Sequence, residues 1–248
     1  MKQKFERGLW TETTHNFRMN FWLIASVVGA LLAWSLIQER FQVGRSGGSL
    51  SAIIWVLVAM SVHATILRGK AGFAIHGENL FTPFLWRAFL FGGVGLAGML
   101  LTIPLWPDLN RSLVIYPILA VYGFLETILL SKWGTWLPAV IANGDKSFAA
   151  AGRRGSKTFG YVLSRLLFGV GSGFLASFIL LAIMLVVLDT DGTLWSQEKG
   201  FYFLPTLAEL IFFLTFSYQI VMVATVLSRA YLIAESTPSN EVPLPDGR

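Results

Sequence analysis

Residues 19–37 read MNFWLIASVVGALLAWSLI, and the next three are Gln38, Glu39 and Arg40. Nineteen positions without a charge are about enough to cross the hydrocarbon core, which needs roughly 20 apolar residues. The run follows a basic leader, as a signal peptide would. It is long for a signal core, however, and no small-x-small cleavage pattern follows it, so it is expected to remain as a helix. Further apolar runs recur at 50–68, 84–105, 112–131, 161–188 and 201–232. The expectation is therefore an all-α fold, a polytopic bundle of about six transmembrane helices.

Composition agrees. Of 248 residues, 54% are hydrophobic and 13% charged, and mean hydropathy is +0.63. A soluble domain carries about a quarter charged residues. The net charge of +5 reads as cations facing anionic headgroups, not as a nucleic-acid surface. The chain has no cysteine, which removes disulfides, thiol catalysis and thiolate metal sites.

Outward from the first run, residues 1–18 alternate cations with Phe5, Leu9, Trp10 and Phe17. This predicts a short interfacial amphipathic helix, Trp inward and cations outward. The bundle occupies 19–235, and the Pro-rich, polar residues 236–248 form a disordered tail. Pro104-Leu105-Trp106-Pro107-Asp108 reads as a hairpin turn between the third and fourth runs. A cytoplasmic N-terminus puts 15 Lys and Arg inside and only Arg40, Arg45, Arg111 and Lys199 outside. This strong positive-inside bias predicts a multi-pass protein of an inner membrane with both termini cytoplasmic. Residues 143–159 are its largest cytoplasmic loop: a turn at Asn143-Gly144, a cap at Asp145, then a surface helix. Lys146, Arg153, Arg154 and Lys157 are its expected contacts to lipid phosphates.

Small residues four apart let helices approach closely in lipid. They occur as Ala25, Gly29 and Ala33 in the first run, as Gly93 and Ala97 in a Gly-rich third run, and as Gly169, Gly173 and Ser177 in the fifth. These three helices are expected to form the tight core, and a contact with another protein's helix would carry the same pattern.

Ionisable groups at membrane depth are costly and so informative. His63, Arg87, Glu126 and Arg165 all fall within about 8 Å of the inner boundary at 1.5 Å per residue. They predict one polar network centred on Glu126 with Arg87 or Arg165. It would serve as a proton or anion relay or a headgroup site, or, more plainly, as snorkelling arginines that neutralise a glutamate. Glu209 is expected near the outer interface. No P-loop, nucleophile elbow or His-rich metal motif occurs. Catalysis is disfavoured, and no cofactor or metal is implied.

The stretch WLPAVIA (136–142), KSF (146–148) and AAGRRGSKTFG (150–160) resembles a segment in the membrane domain attached to some bacterial glycerophosphodiester phosphodiesterases, and in related stand-alone six-span proteins. The resemblance covers about 25 residues. It implies a six-helix membrane domain whose segment joins a span to a cytoplasmic re-entry helix. It does not bring the phosphodiesterase activity, because no hydrolase domain is attached. The sequence thus points to a scaffold, accessory subunit or lipid-interacting factor. The alternatives are the six-span permease subunit of a transporter with a separate ATPase, and a lipid-modifying enzyme using Glu126 and His63. The expected partners are membrane lipids with anionic headgroups at the cytoplasmic face, and another membrane protein or a second copy.

Overall fold

The computed structural model describes residues 8–41, 48–72, 79–102, 112–173, 175, 194–196 and 200–236. Outside them lie Ser177, the prolyl turn at 104–108, residues 1–7, half of the fifth run and the tail. Among the described residues are eight α-helices: α1 (Leu9–Met19), α2 (Phe21–Phe41), α3 (Gly48–Arg68), α4 (Phe81–Thr102), α5 (Ser112–Trp133), α6 (Trp136–Ala142), α7 (Phe148–Arg165) and α8 (Phe203–Ser236). Three stretches are long and apolar enough to cross a membrane: Phe21–Phe41, Ser51–Arg68 and Phe203–Ser236. The 34-residue α8 is about 51 Å long at 1.5 Å per residue, so it overshoots a hydrocarbon core of about 30 Å.

The lower half of α8 is the hub. Val221, Met222, Ala224, Val226, Leu227 and Ala230 are all nearly inaccessible. Because they fall on every side of the helix, α8 must be surrounded there. Leu23, Ile24, Val27, Val28 and Leu31 of α2 pack on it together with Val58 and Val62 of α3. A second cluster joins Phe84 of α4, Leu137, Val140 and Ile141 of α6, and Val162 of α7 to Met222 and Leu227.

The small-residue stripes behave differently from the expected tight core. Gly29 and Ala33 are exposed, and a Cβ on Gly29 would meet nothing within 4 Å. Gly93 and Ala97 also face outward. Ala25 is half-buried, on the flank of the large aliphatics that α2 buries. Only the third stripe closes an internal contact: Gly169 lies against Leu9 and Met222, and Gly173 against Gln219. Large side chains, not the small ones, mark the packed faces of α2 and α4.

The expected surface helix and the start of the fifth run are one element. Ser147 caps α7 by accepting from the Ala150 amide at 3.2 Å, and Ala149–Ala151 favour helix. The helix runs to Arg165, then loosens into a π-turn over Leu166–Val170. Its buried face is Ala150, Ala151, Arg154, Gly155, Thr158 and Val162, a spacing of three and four. At Gly155 a Cβ would overlap the Lys132 carbonyl of α5, so glycine is what allows α5 and α7 to touch. At the other end of the bundle a two-residue hairpin pairs Trp195 with Phe201. The Glu39 carboxylate holds it, accepting from the Leu194 and Trp195 amides at 2.6 and 2.8 Å.

Candidate functional site

The four residues expected to form one network take separate partners. His63 is buried in α3, its Nδ1 2.7 Å from the Ser228 hydroxyl and its ring edge-on to Phe84. Arg87 of α4 donates to the Pro83 carbonyl at 2.7 Å and lies over the Trp136 ring, 4.8 Å from its centre. Arg165 lies over Tyr161 at 5.7 Å. Glu126 is half-buried on α5 and, among the described residues, forms an ion pair with neither arginine. Spacing along each run does not fix the rotation of its helix, and the groups face different neighbours. Glu209 accepts from Ser35 at 2.7 Å.

A polar seam lies elsewhere. Helix α1 turns Leu9, Thr13 and Asn16 inward and leaves Trp10 52% exposed. Glu12 pairs with Arg229 of α8. Asn16 donates to Thr225 at 3.1 Å, and Thr14 meets the Tyr218 hydroxyl at 3.1 Å. At the α1–α2 junction, Asn20 uses its whole amide. Its Nδ2 donates to the Asn16 carbonyl and the Thr65 hydroxyl at 2.9 and 3.0 Å. Its Oδ1 accepts from the Ser61 hydroxyl at 2.7 Å and the Gly72 amide at 3.0 Å. Two donors and two acceptors are all that such a side chain has.

The basic loop holds a second polar knot. Arg154 is 6% exposed, not at a lipid phosphate as expected. It donates to Glu235 at 3.2 Å and to the Asp145 carbonyl at 2.9 Å, with its guanidinium 5.2 Å from the Tyr231 ring centre. Lys146, Arg153 and Lys157 are exposed, and Arg153 faces Asp145 at 3.8 Å. Asp145 is not itself the cap. It accepts from the Ser147 amide at 2.9 Å, and the Ser147 amide and hydroxyl, helped by Arg154 and Arg153, hold its carboxyl below the usual carboxylate range. Asn143 closes α6 in the left-handed conformation at φ 57°, as the Asn-Gly signal implied. Beside it Phe148 stacks on Trp133 and meets Trp136 edge-on, each at 5.2 Å.

The sequence reading passed over Glu12, Asn16, Asn20, Ser61, Thr65, Thr225 and Arg229. A usable signal existed: hydrophilic positions three and four apart within apolar runs, as at Ser61 and Thr65 or Thr225 and Arg229. Among the described residues no three His, Asp or Glu side chains converge to hold a metal ion. No protein-family model, curated protein or solved structure matches the chain.

Proposed function

We propose that the chain is a non-catalytic, six-span integral protein of an inner membrane, a scaffold or accessory subunit that also engages lipid. Both termini face the cytoplasm. One observation carries the reading: several of the buried polar and ionic side chains join helices to one another. Glu12–Arg229 ties α1 to α8, Arg154–Glu235 ties α7 to α8, and His63–Ser228 ties α3 to α8. A pathway or active site needs such groups aimed at a cavity, whereas these face one another. Two further helices, α4 and α5, have 22 residues each and support a larger span count than the three of sufficient length and hydropathy. The likeness of 136–160 to a six-helix membrane domain supports the same count.

Single-cysteine labelling in intact cells tests the topology, and the chain's lack of native cysteine makes it clean. Positions beside Asn143 and both termini should label only after the inner face is opened, and positions near Asp108 and Lys199 from outside. Termini on opposite faces would end the six-span reading. Mild-detergent purification with mass spectrometry tests the task. A stoichiometric membrane partner is expected, and an ATPase subunit in that position would transfer the protein to the permease class.

A further inference from the structure

We infer that Arg87, Trp136 and Lys146 form a headgroup site for an anionic phospholipid, whose acyl chains lie along the outward face of α4. This adds a defined site and ligand to the lipid contact proposed above, and it rests on the membrane reading but not on the six-span count.

Charge supplies the first part of the argument. Arg153, Arg154 and Arg229 each face a carboxylate. Among the described residues Arg87 faces none. Its contacts are the Pro83 carbonyl, a long 3.5 Å approach to the Lys146 carbonyl, and the Trp136 ring, and its buried Nε has no hydrogen-bond partner. A guanidinium held by one firm hydrogen bond and one ring keeps donors for a phosphate, which it can take in bidentate fashion.

Placement supplies the second. The Lys146 carbonyl also accepts from the Trp136 indole at 2.6 Å, so the loop that carries the exposed Lys146 is pinned beside Arg87. Among the described residues the Lys146 ammonium reaches only the Asn143 side chain, at 3.1 Å, a surface contact that a phosphate can displace. Trp86, 66% exposed, and Phe148, 52% exposed, flank the site. Exposed aromatic rings next to cations are the signature of the headgroup level.

The outward face of α4 supplies the third. Trp86, Leu90, Gly93 and Ala97 are all exposed and share one helix face by their spacing of four, three and four. A Cβ on Gly92 or Gly93 would meet nothing within 4 Å. The Gly-Ala stripe is thus part of an open apolar face that starts beside a cation. A helix from another protein would cover the face but leave Arg87 unanswered; a phospholipid answers both.

The test uses the full-length protein in nanodiscs of phosphatidylcholine with increasing phosphatidylglycerol, read by native mass spectrometry of retained lipid. The wild type should retain phosphatidylglycerol in preference to phosphatidylcholine. Arg87→Gln should lower that preference about fivefold, the usual worth of one interfacial cation. Arg87→Lys should keep part of it, and Gly93→Leu should lower retention of both lipids. Lys146→Gln alters only an exposed side chain and should lower the preference severalfold, so it serves even if the Arg87 variants fold poorly. Arg40→Gln, which removes a cation at the hairpin end of α2, should leave the preference unchanged. Equal retention of the two lipids by the wild type, or Arg87→Gln and Lys146→Gln variants that both retain phosphatidylglycerol as the wild type does, would overturn the site. Displacement by inorganic phosphate at constant ionic strength would overturn it too, as a free-anion site. A topology result against six spans would leave these outcomes unaffected.

Discussion

Asn20 shows how much one side chain can hold. It bridges α1, α3 and the turn after α3, and every hydrogen-bonding position of its amide is occupied. Asn20→Ala strands the Gly72 amide, while the Ser61 hydroxyl keeps the Gly72 carbonyl as acceptor, and leaving a buried polar group unpaired costs roughly 1–3 kcal/mol. A lowered midpoint of thermal unfolding in detergent should report it. Gly155 is constrained in the opposite sense, by space. Gly155→Ala drives a methyl into the Lys132 backbone, so α5 and α7 must separate. Overpacking of this kind costs about 1–3 kcal/mol, and the same assay should show it. Asp145 gives a pH dependence. Its folded-state pKa is depressed by the Ser147 amide and hydroxyl, so its stabilisation is complete above the ordinary carboxylate range. It is lost as pH falls through the lower, folded value. Asp145→Asn should flatten that acid limb of a stability–pH profile and leave neutral pH nearly unchanged.

At the scale of elements, α1 is where the tertiary structure adds most to the sequence reading. The helix presents Glu12 and Asn16 to α8, because α8 offers Arg229 and Thr225 in register. Side-chain exposures of 13% for Arg229 and 18% for Glu12 make the pair largely dehydrated. Losing one partner of such a pair leaves an uncompensated charge, whereas losing both relieves it. Glu12→Gln or Arg229→Gln alone should each destabilise by roughly 2–3 kcal/mol, and the double variant by clearly less than the sum. A double-mutant cycle measured by denaturant unfolding in micelles checks this, and strict additivity would mean that α1 is not held by the pair. In α7 the alanine run was legible locally, whereas the cap falls two residues later than expected, at Ser147 and not Asp145. Its fusion with the start of the fifth run was not, because a change from amphipathic to uniformly apolar sequence looks like a boundary even when the helix continues through it.

For the molecule as a whole, burial is concentrated where the C-terminal half of α8 meets α1, α3, α6 and α7. Amides of Val221–Ala230 should therefore exchange hydrogen slowest, and those of α2 beyond Leu31, which has outward-facing small residues, faster; exchange mass spectrometry in micelles resolves the two. The sequence by itself determined that the chain is helical and built for lipid. Five of the six apolar runs, at 19–38, 50–68, 84–105, 112–131 and 201–232, correspond within a few residues to α2, α3, α4, α5 and α8. Hydropathy and length are local properties, and backbone hydrogen bonding within each run permits little else than a helix in hydrocarbon. Only the tertiary structure decided which face of each helix is covered. It separated His63, Arg87, Glu126 and Arg165, turned Arg154 inward to Glu235, and left the small stripes of α2 and α4 open. Those outcomes depend on the rotation of each helix about its axis. That rotation is set by the summed fit of large aliphatic side chains and of a few complementary polar pairs from distant parts of the chain. Spacing along one helix carries no information about it.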